Sequence, residues 1–126
     1  MHYVIAGAGP AAIAAAEHLR ELDASAEVTL IGAQAQPPYS RMAIPYFLTG
    51  KVGEEGTYLR RSQDHYEAHG LNLIHGEVTA VDPKGHTVRL GDGQQIKYDK
   101  LLLATGAEPI IPPVSGMDDP RVQQCW

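Results

Sequence analysis

Gly7-Ala8-Gly9-Pro10-Ala11-Ala12 is the stretch of this chain best suited to chemistry, and that chemistry is the binding of a pyrophosphate. In a G-x-G-x-x-A turn between a strand and a helix, each small residue has a task. Gly7 permits the tight turn, and Gly9 lets a phosphate approach bare backbone. Ala12 stands where a third glycine often stands and lets the helix pack close to the sheet. The phosphates then face the free N–H groups of a helix N-terminus, at the positive end of its dipole. Taken alone the pattern is weak, because small residues are common; it needs a strand before it and a helix after it.

The flanking sequence supplies both. Tyr3-Val4-Ile5-Ala6 is an apolar run ending in glycine, which reads as a buried strand. Pro10 to about Leu22 reads as a helix, with Pro10 in the first turn, where a missing N–H costs nothing, and Ala12, Ala16 and Leu19 on one face. Glu27 to Ile31 is a second strand, completing a βαβ unit whose strands must be parallel. After the loop Pro37-Pro38-Tyr39-Ser40-Arg41, Ile44 to Leu48 reads as one or two helical turns. Ser62 is expected to cap a helix running to His69, with Gly70 as its stop. Leu71 to Ile74 is a third strand.

The pattern then changes. Glu77 to Asp82, His86 to Leu90 and Gln95 to Tyr98 are short strands joined by the turns Asp82-Pro83-Lys84-Gly85 and Gly91-Asp92-Gly93. Leu101-Leu102-Leu103-Ala104 returns as a wholly apolar strand closed by Thr105-Gly106. The expected fold class is therefore α/β: a Rossmann-like nucleotide-binding domain, its central parallel sheet flanked by helices, with an inserted three-stranded antiparallel meander.

Composition limits the function. The 126 residues amount to one domain, and 15 acidic against 10 basic side chains give a formal net charge of −5. That balance argues against a nucleic-acid or membrane partner, and no apolar run of about twenty residues exists to span a bilayer. The first residues already read as a strand, so no signal peptide is visible, and a cytoplasmic protein is expected. Cys125 is the only cysteine, so there is no internal dithiol. His65 and His69 have a spacing that can bind zinc, but no third ligand accompanies them, and no metal is expected. Four of the nine prolines (Pro109, Pro112, Pro113, Pro120) lie in the last eighteen residues. Residues 1–108 are thus expected to form an incomplete domain and 109–126 a connector, within a fragment of a longer protein.

The motifs taken together resemble the FAD domain of the pyridine nucleotide–disulfide oxidoreductase superfamily. The branch is the one holding rubredoxin and ferredoxin reductases, NADH oxidases and the reductase part of NADH-dependent nitrite reductase. Four features carry the resemblance along the whole chain: the Gly7 turn, Pro38-Tyr39-Ser40-Arg41 with Ile44-Pro45-Tyr46, the meander, and Tyr98-Asp99-Lys100-Leu101-Leu102-Leu103-Ala104-Thr105-Gly106. The resemblance implies FAD in this domain, NAD(P)H in a domain beyond it, and a small redox protein or small molecule as electron acceptor. It implies that Gly9, Pro10 and Ala11 offer backbone to the pyrophosphate and that Arg41 and Pro45 lie near the flavin, Arg41 as a charged donor. Val78 would hold the adenine through its backbone, and Ala104, Thr105 and Gly106 would pass close to the cofactor. Arg41 could equally make a surface salt bridge, and Val78 would be a core strand position in either case. Tyr39, Tyr46 and Phe47 could wall a flavin pocket or pack a core.

The sequence also departs from that family. The second strand normally delivers an acid to the adenosine ribose, but here Ile31-Gly32 leads into Ala33-Gln34, and no carboxylate follows Glu27 until position 54. Gln34 can accept a hydrogen bond only as a neutral group. Weaker adenosine binding, or a compensating contact elsewhere, is expected. Met42 fills the place of the cysteine in peroxidases and CoA-disulfide reductases, and a thioether cannot become a thiolate. The first helix brings no cysteine pair, and no lysine precedes Lys51. Electron or hydride transfer through flavin alone is expected. The competing readings are a nucleotide-binding or assembly module without catalysis, favoured by the missing acid, and an NAD-only Rossmann dehydrogenase, which the meander counts against. The Leu101–Ala104 strand should lack an outer neighbour, which points to a homodimer or a segment-exchanged oligomer.

Overall fold

The βαβ unit forms as the apolar pattern requires. β1 (His2–Ala6) leads through the glycine turn into α1 (Pro10–Leu22) and back into β2 (Glu27–Gly32), with β1 and β2 parallel from His2↔Glu27 to Ala6↔Ile31. The structure, a computed structural model, describes residues 1–62 and 64–123; Cys125 and Trp126 lie outside them. A 3₁₀ turn (Arg41–Ala43), α2 (Ile44–Leu48), a second 3₁₀ turn (Glu54–Thr57) and α3 (His65–Ala68) follow. Next come β3 (Leu71–His75), the meander β4 (Val78–Asp82), β5 (Thr87–Leu90) and β6 (Gln95–Lys97), and finally β7 (Lys100–Leu103). The parallel sheet has the order β3-β2-β1-β7 and the meander the order β4-β5-β6. The expected α/β class with its inserted meander is the observed one.

Both faces of the parallel sheet are covered, which is why its inner strands are mostly apolar, Val4-Ile5-Ala6 in β1 and Val28, Leu30 and Ile31 in β2. On one face Ile5, Val28 and Leu30 meet Ala12, Ile13 and Ala16 of α1, with Tyr66 and Leu71 at the margin. Ala12 and Ala16 have no exposed surface, and their small side chains bring α1 close to the sheet. On the other face Val4 and Ile31 meet Val88 and Leu90, so the meander is the second layer of the domain. Alternation along β5 does this: Val88 and Leu90 turn inward while Arg89 stays exposed.

The turns follow their sequence chemistry. Asp82 Oδ1 accepts from the N–H groups of Lys84 and Gly85, and Asp92 Oδ1 from that of Gln94. One expectation fails. The third helix is a single turn, and Ser62 gives it a backbone carbonyl to His65 N–H (3.2 Å), not a side-chain cap. Four residues form too little helix to sustain a capping motif. Gly70 is the stop, as expected: it sits at φ +63°, and its N–H donates to the Glu67 carbonyl. Among the described residues β7 pairs only with β1 and is a sheet edge, with Leu102 41% and Leu103 62% exposed.

Candidate nucleotide site

The glycine turn and the end of β7 are built against each other. Gly7 has φ +129°, and a Cβ on it would lie 2.7 Å from the Ala104 carbonyl carbon and closer still to the carbonyl oxygen. Its N–H donates to the Ile31 carbonyl (2.8 Å), and Ala104 N–H donates to the Ala6 carbonyl (2.8 Å). The C-terminal ends of β1, β2 and β7 therefore meet at one crevice, where open α/β sheets bind their ligands. Gly32 shares the crowding, since a Cβ there would come 2.9 Å from Ala8 Cβ.

Gly9 is the opposite case. It precedes α1 with φ −81° and ψ −177°, an extended conformation open to any residue, and a Cβ on it would meet nothing within 4 Å. Neither backbone nor packing requires glycine there. A ligand lying over the helix N-terminus would, so the residues present fit a pyrophosphate.

The other expected residues take these places. Pro10 and Ala11 open α1 and are exposed, while Ala12 is wholly buried against the sheet. Gln34 is exposed just past β2 and lines a cavity of about 810 Å³ with Ala8, Gly32 and His75. Ala104 is half-buried, and Thr105 and Gly106 are exposed just past β7, Gly106 at φ +84°. Val78 opens β4, half-buried against the second core cluster, which is the strand position expected in either reading. Arg41 and Pro45 are exposed in the first 3₁₀ turn and α2. They line neither that cavity nor the Gly7–Ala104 contact. Tyr46 and Phe47 are exposed, whereas Tyr39 is half-buried and bridges Tyr58.

Sequence reasoning missed the outer wall of the cavity. Glu54, Glu55, Tyr58, Arg60 and Arg61 contribute to it, from a stretch with no readable periodicity, together with Tyr66 of α3. This wall is fastened to the loop after β2: Ser40 N–H donates to the Thr57 carbonyl (2.8 Å) and Leu59 N–H to the Pro38 carbonyl (2.9 Å). It is tied to α1 as well. Arg60 Nε donates to Glu17 Oε1 (2.7 Å), Arg60 Nη2 donates to Glu17 Oε2, and His65 Nε2 lies 2.8 Å from Glu17 Oε1. His65 also stacks on His69 at 4.1 Å. Among the described residues no group of three or more His, Cys, Asp or Glu is placed to hold a metal ion.

The Arg60 hydrogen bond holds the Glu17 carboxyl below its ordinary range, with a smaller contribution from His65 and against some desolvation. A depressed folded-state pKa adds stability above the unfolded value near 4.5 and loses it as pH falls through the folded one. Glu17→Gln should therefore lower stability at pH 7 by about 1 kcal/mol, a figure kept small because Arg60 is 37% exposed and screened. The deficit should shrink toward zero at more acid pH, as read by urea unfolding at pH 7 and pH 3.5. A deficit equal at both would remove the ion pair as its cause.

Comparison with known proteins fits this geometry. A family model described as pyridine nucleotide-disulphide oxidoreductase matches residues 1–125. The epsilon subunit of the NADH-dependent phenylglyoxylate dehydrogenase of Aromatoleum evansii is 36% identical over 116 residues, covering 92% of this chain and 28% of the subunit. The ferredoxin–NAD(+) reductase component of the anthranilate 1,2-dioxygenase system of Burkholderia cepacia is 40% identical over 107 residues, covering 83% of this chain and 26% of that protein. Among solved structures, the covalent putidaredoxin reductase–putidaredoxin complex superposes with a TM-score of 0.82 at 33% identity, covering 91% of this chain and 28% of that one. The chain thus spans little more than a quarter of the length of these relatives. The family and its members support FAD and NAD(P)H as the cofactors. With a match over 125 of its 126 residues, the chain belongs to the pyridine nucleotide-disulphide oxidoreductase family.

Proposed function

We propose that this chain is the FAD-holding part of an NAD(P)H-dependent flavoprotein oxidoreductase that passes electrons through flavin without a redox-active cysteine. The observation that carries the reading is Gly9: a residue whose smallness nothing in the protein demands, at a helix N-terminus, beside a turn locked to the end of β7. Bound flavin would supply the redox chemistry, taking a hydride from reduced nicotinamide and releasing electrons to an acceptor.

The chain's own residues bind and orient. Gly9, Pro10 and Ala11 receive the pyrophosphate, Gly7 and Ala12 set the turn and the helix, and Ala104, Thr105 and Gly106 leave room beside it. Arg41 and Pro45 reach toward the flavin end, and Val78 meets the adenine. Met42, 85% exposed in the first 3₁₀ turn, cannot act as a thiolate.

A small redox protein is the proposed acceptor, supported by relatives named as ferredoxin–NAD(+) and flavorubredoxin-type reductases; a small molecule is the other candidate. Residues 1–108 form the nucleotide-holding unit, and 109–126 lead from it toward an NAD(P)-binding domain. The setting is cytoplasmic; among the described residues no helix is long and apolar enough to cross a membrane. The exposed β7 edge favours pairing between copies, which light scattering on the purified protein measures directly.

The full-length protein should purify with a flavin absorption spectrum that NADH or NADPH bleaches without oxygen. A colourless protein that takes up no added FAD defeats the reading and leaves the non-catalytic module.

A further inference from the structure

The end of β2 offers the adenosine ribose no acid, only Ala33 and the neutral Gln34. The first carboxylates after Glu27 are Glu54 and Glu55, and both line the cavity that Ala8, Gly32 and Gln34 open into. We propose that Glu55 is the acceptor for the adenosine ribose hydroxyls, doing from the facing wall what an acid on β2 would otherwise do. The proposal rests on the reading of the site as an FAD site.

Three features support it. The wall is held at a fixed place by the backbone hydrogen bonds to Pro38 and Ser40 and by buried Thr57, whose hydroxyl donates to the Glu54 carbonyl (2.6 Å). The two acids differ in availability. Glu54 Oε1 already accepts from the Tyr58 hydroxyl (2.7 Å), whereas the Glu55 carboxylate makes no hydrogen bond or ion pair among the described residues. Independently of the acids, Tyr66 lines the same cavity at 8% exposure, and its hydroxyl is buried without a hydrogen-bond partner among the described residues. A buried polar group left unmet by the protein is uncommon, and this one belongs to a residue of the cavity wall.

The chemistry selects a carboxylate. A ribose diol presents two O–H donors, and an ionised carboxylate accepts from both, with bonds about twice as strong as neutral ones. Arg61 lines the cavity too, but a guanidinium only donates.

Fluorescence titration of the flavin-free full-length protein with FAD, ADP and FMN tests this, since FMN lacks the adenosine. Glu55→Gln should weaken FAD and ADP about tenfold, or about 1.4 kcal/mol, and leave FMN unchanged. Gln34→Glu added to that variant should restore most of the loss by returning an acid to β2. FAD affinity within twofold of the parent in Glu55→Gln overturns the proposal, as does an equal loss for FMN. Failure of the parent protein itself to bind FAD overturns the underlying site reading instead, and shows as no saturable quenching before any substitution is made.

Discussion

Gly7→Ala should leave the protein largely unfolded under conditions in which the parent is native. Two costs fall on one atom. At φ +129° an L-residue is strained by about 1–3 kcal/mol whatever its surroundings. The added methyl would also sit 2.7 Å from the Ala104 carbonyl carbon, which is backbone and cannot turn aside as a side chain could. Ala104 is fixed in turn, because its N–H extends the β1–β7 ladder through the Ala6 carbonyl. Relief would require β7 to leave the sheet, taking Leu101 out of the second core cluster. The expected total exceeds about 4 kcal/mol, in the rare upper tail of single substitutions and comparable to the whole stability of a small domain. Far-UV circular dichroism with urea unfolding gives the result. A cooperative transition within 1 kcal/mol of the parent would mean that the turn and β7 are not in contact.

The reach of the sequence can be judged on the same elements. β1, α1, β2 and β7 were legible because each is set by a local pattern: apolar runs for strands buried on both faces, small residues at helical spacing, proline at the helix start. The meander was legible from its turns, since Asp82 and Asp92 bond to backbone two or three residues ahead. That the meander lies on the face away from α1 was not, because Val88 and Leu90 show only that one side of β5 is apolar and not what covers it.

The wall from Glu54 to Arg61 was not legible at all. It is held by one long-range bridge, Tyr39↔Tyr58, and by Arg60 reaching 43 residues back to Glu17. Neither leaves a periodicity. The Ser62 cap failed for a related reason: capping chemistry needs a helix long enough to exploit it, and tertiary ties, among them Arg20 to the His69 carbonyl (3.0 Å), define α3 in its absence. What the sequence did expose was a vacancy, the missing acid after Gly32, and the structure shows which carboxylates share that cavity.

Gly9→Ala, two residues from Gly7, should have the reverse effect: a fold kept or slightly strengthened and a nucleotide site lost. Its φ of −81° and ψ of −177° suit alanine, and the new methyl would touch nothing within 4 Å. Replacing glycine at such a position removes freedom from the unfolded chain and stabilises by about 0.4–1 kcal/mol. The methyl then occupies the space through which a pyrophosphate would reach the N-terminus of α1. Those N–H groups serve a ligand only at hydrogen-bond distance, and a carbon atom in the way forbids it. FAD affinity should fall roughly 100-fold, about 2.7 kcal/mol, with a melting temperature for the flavin-free protein equal to or above the parent's. The two readouts must diverge for the argument to stand. If affinity and stability fall together, Gly9 is a structural glycine like Gly7; if FAD still binds tightly to a well-folded variant, the phosphates lie elsewhere. Two glycines two residues apart thus carry opposite burdens, Gly7 making room for the protein's own backbone and Gly9 for a ligand.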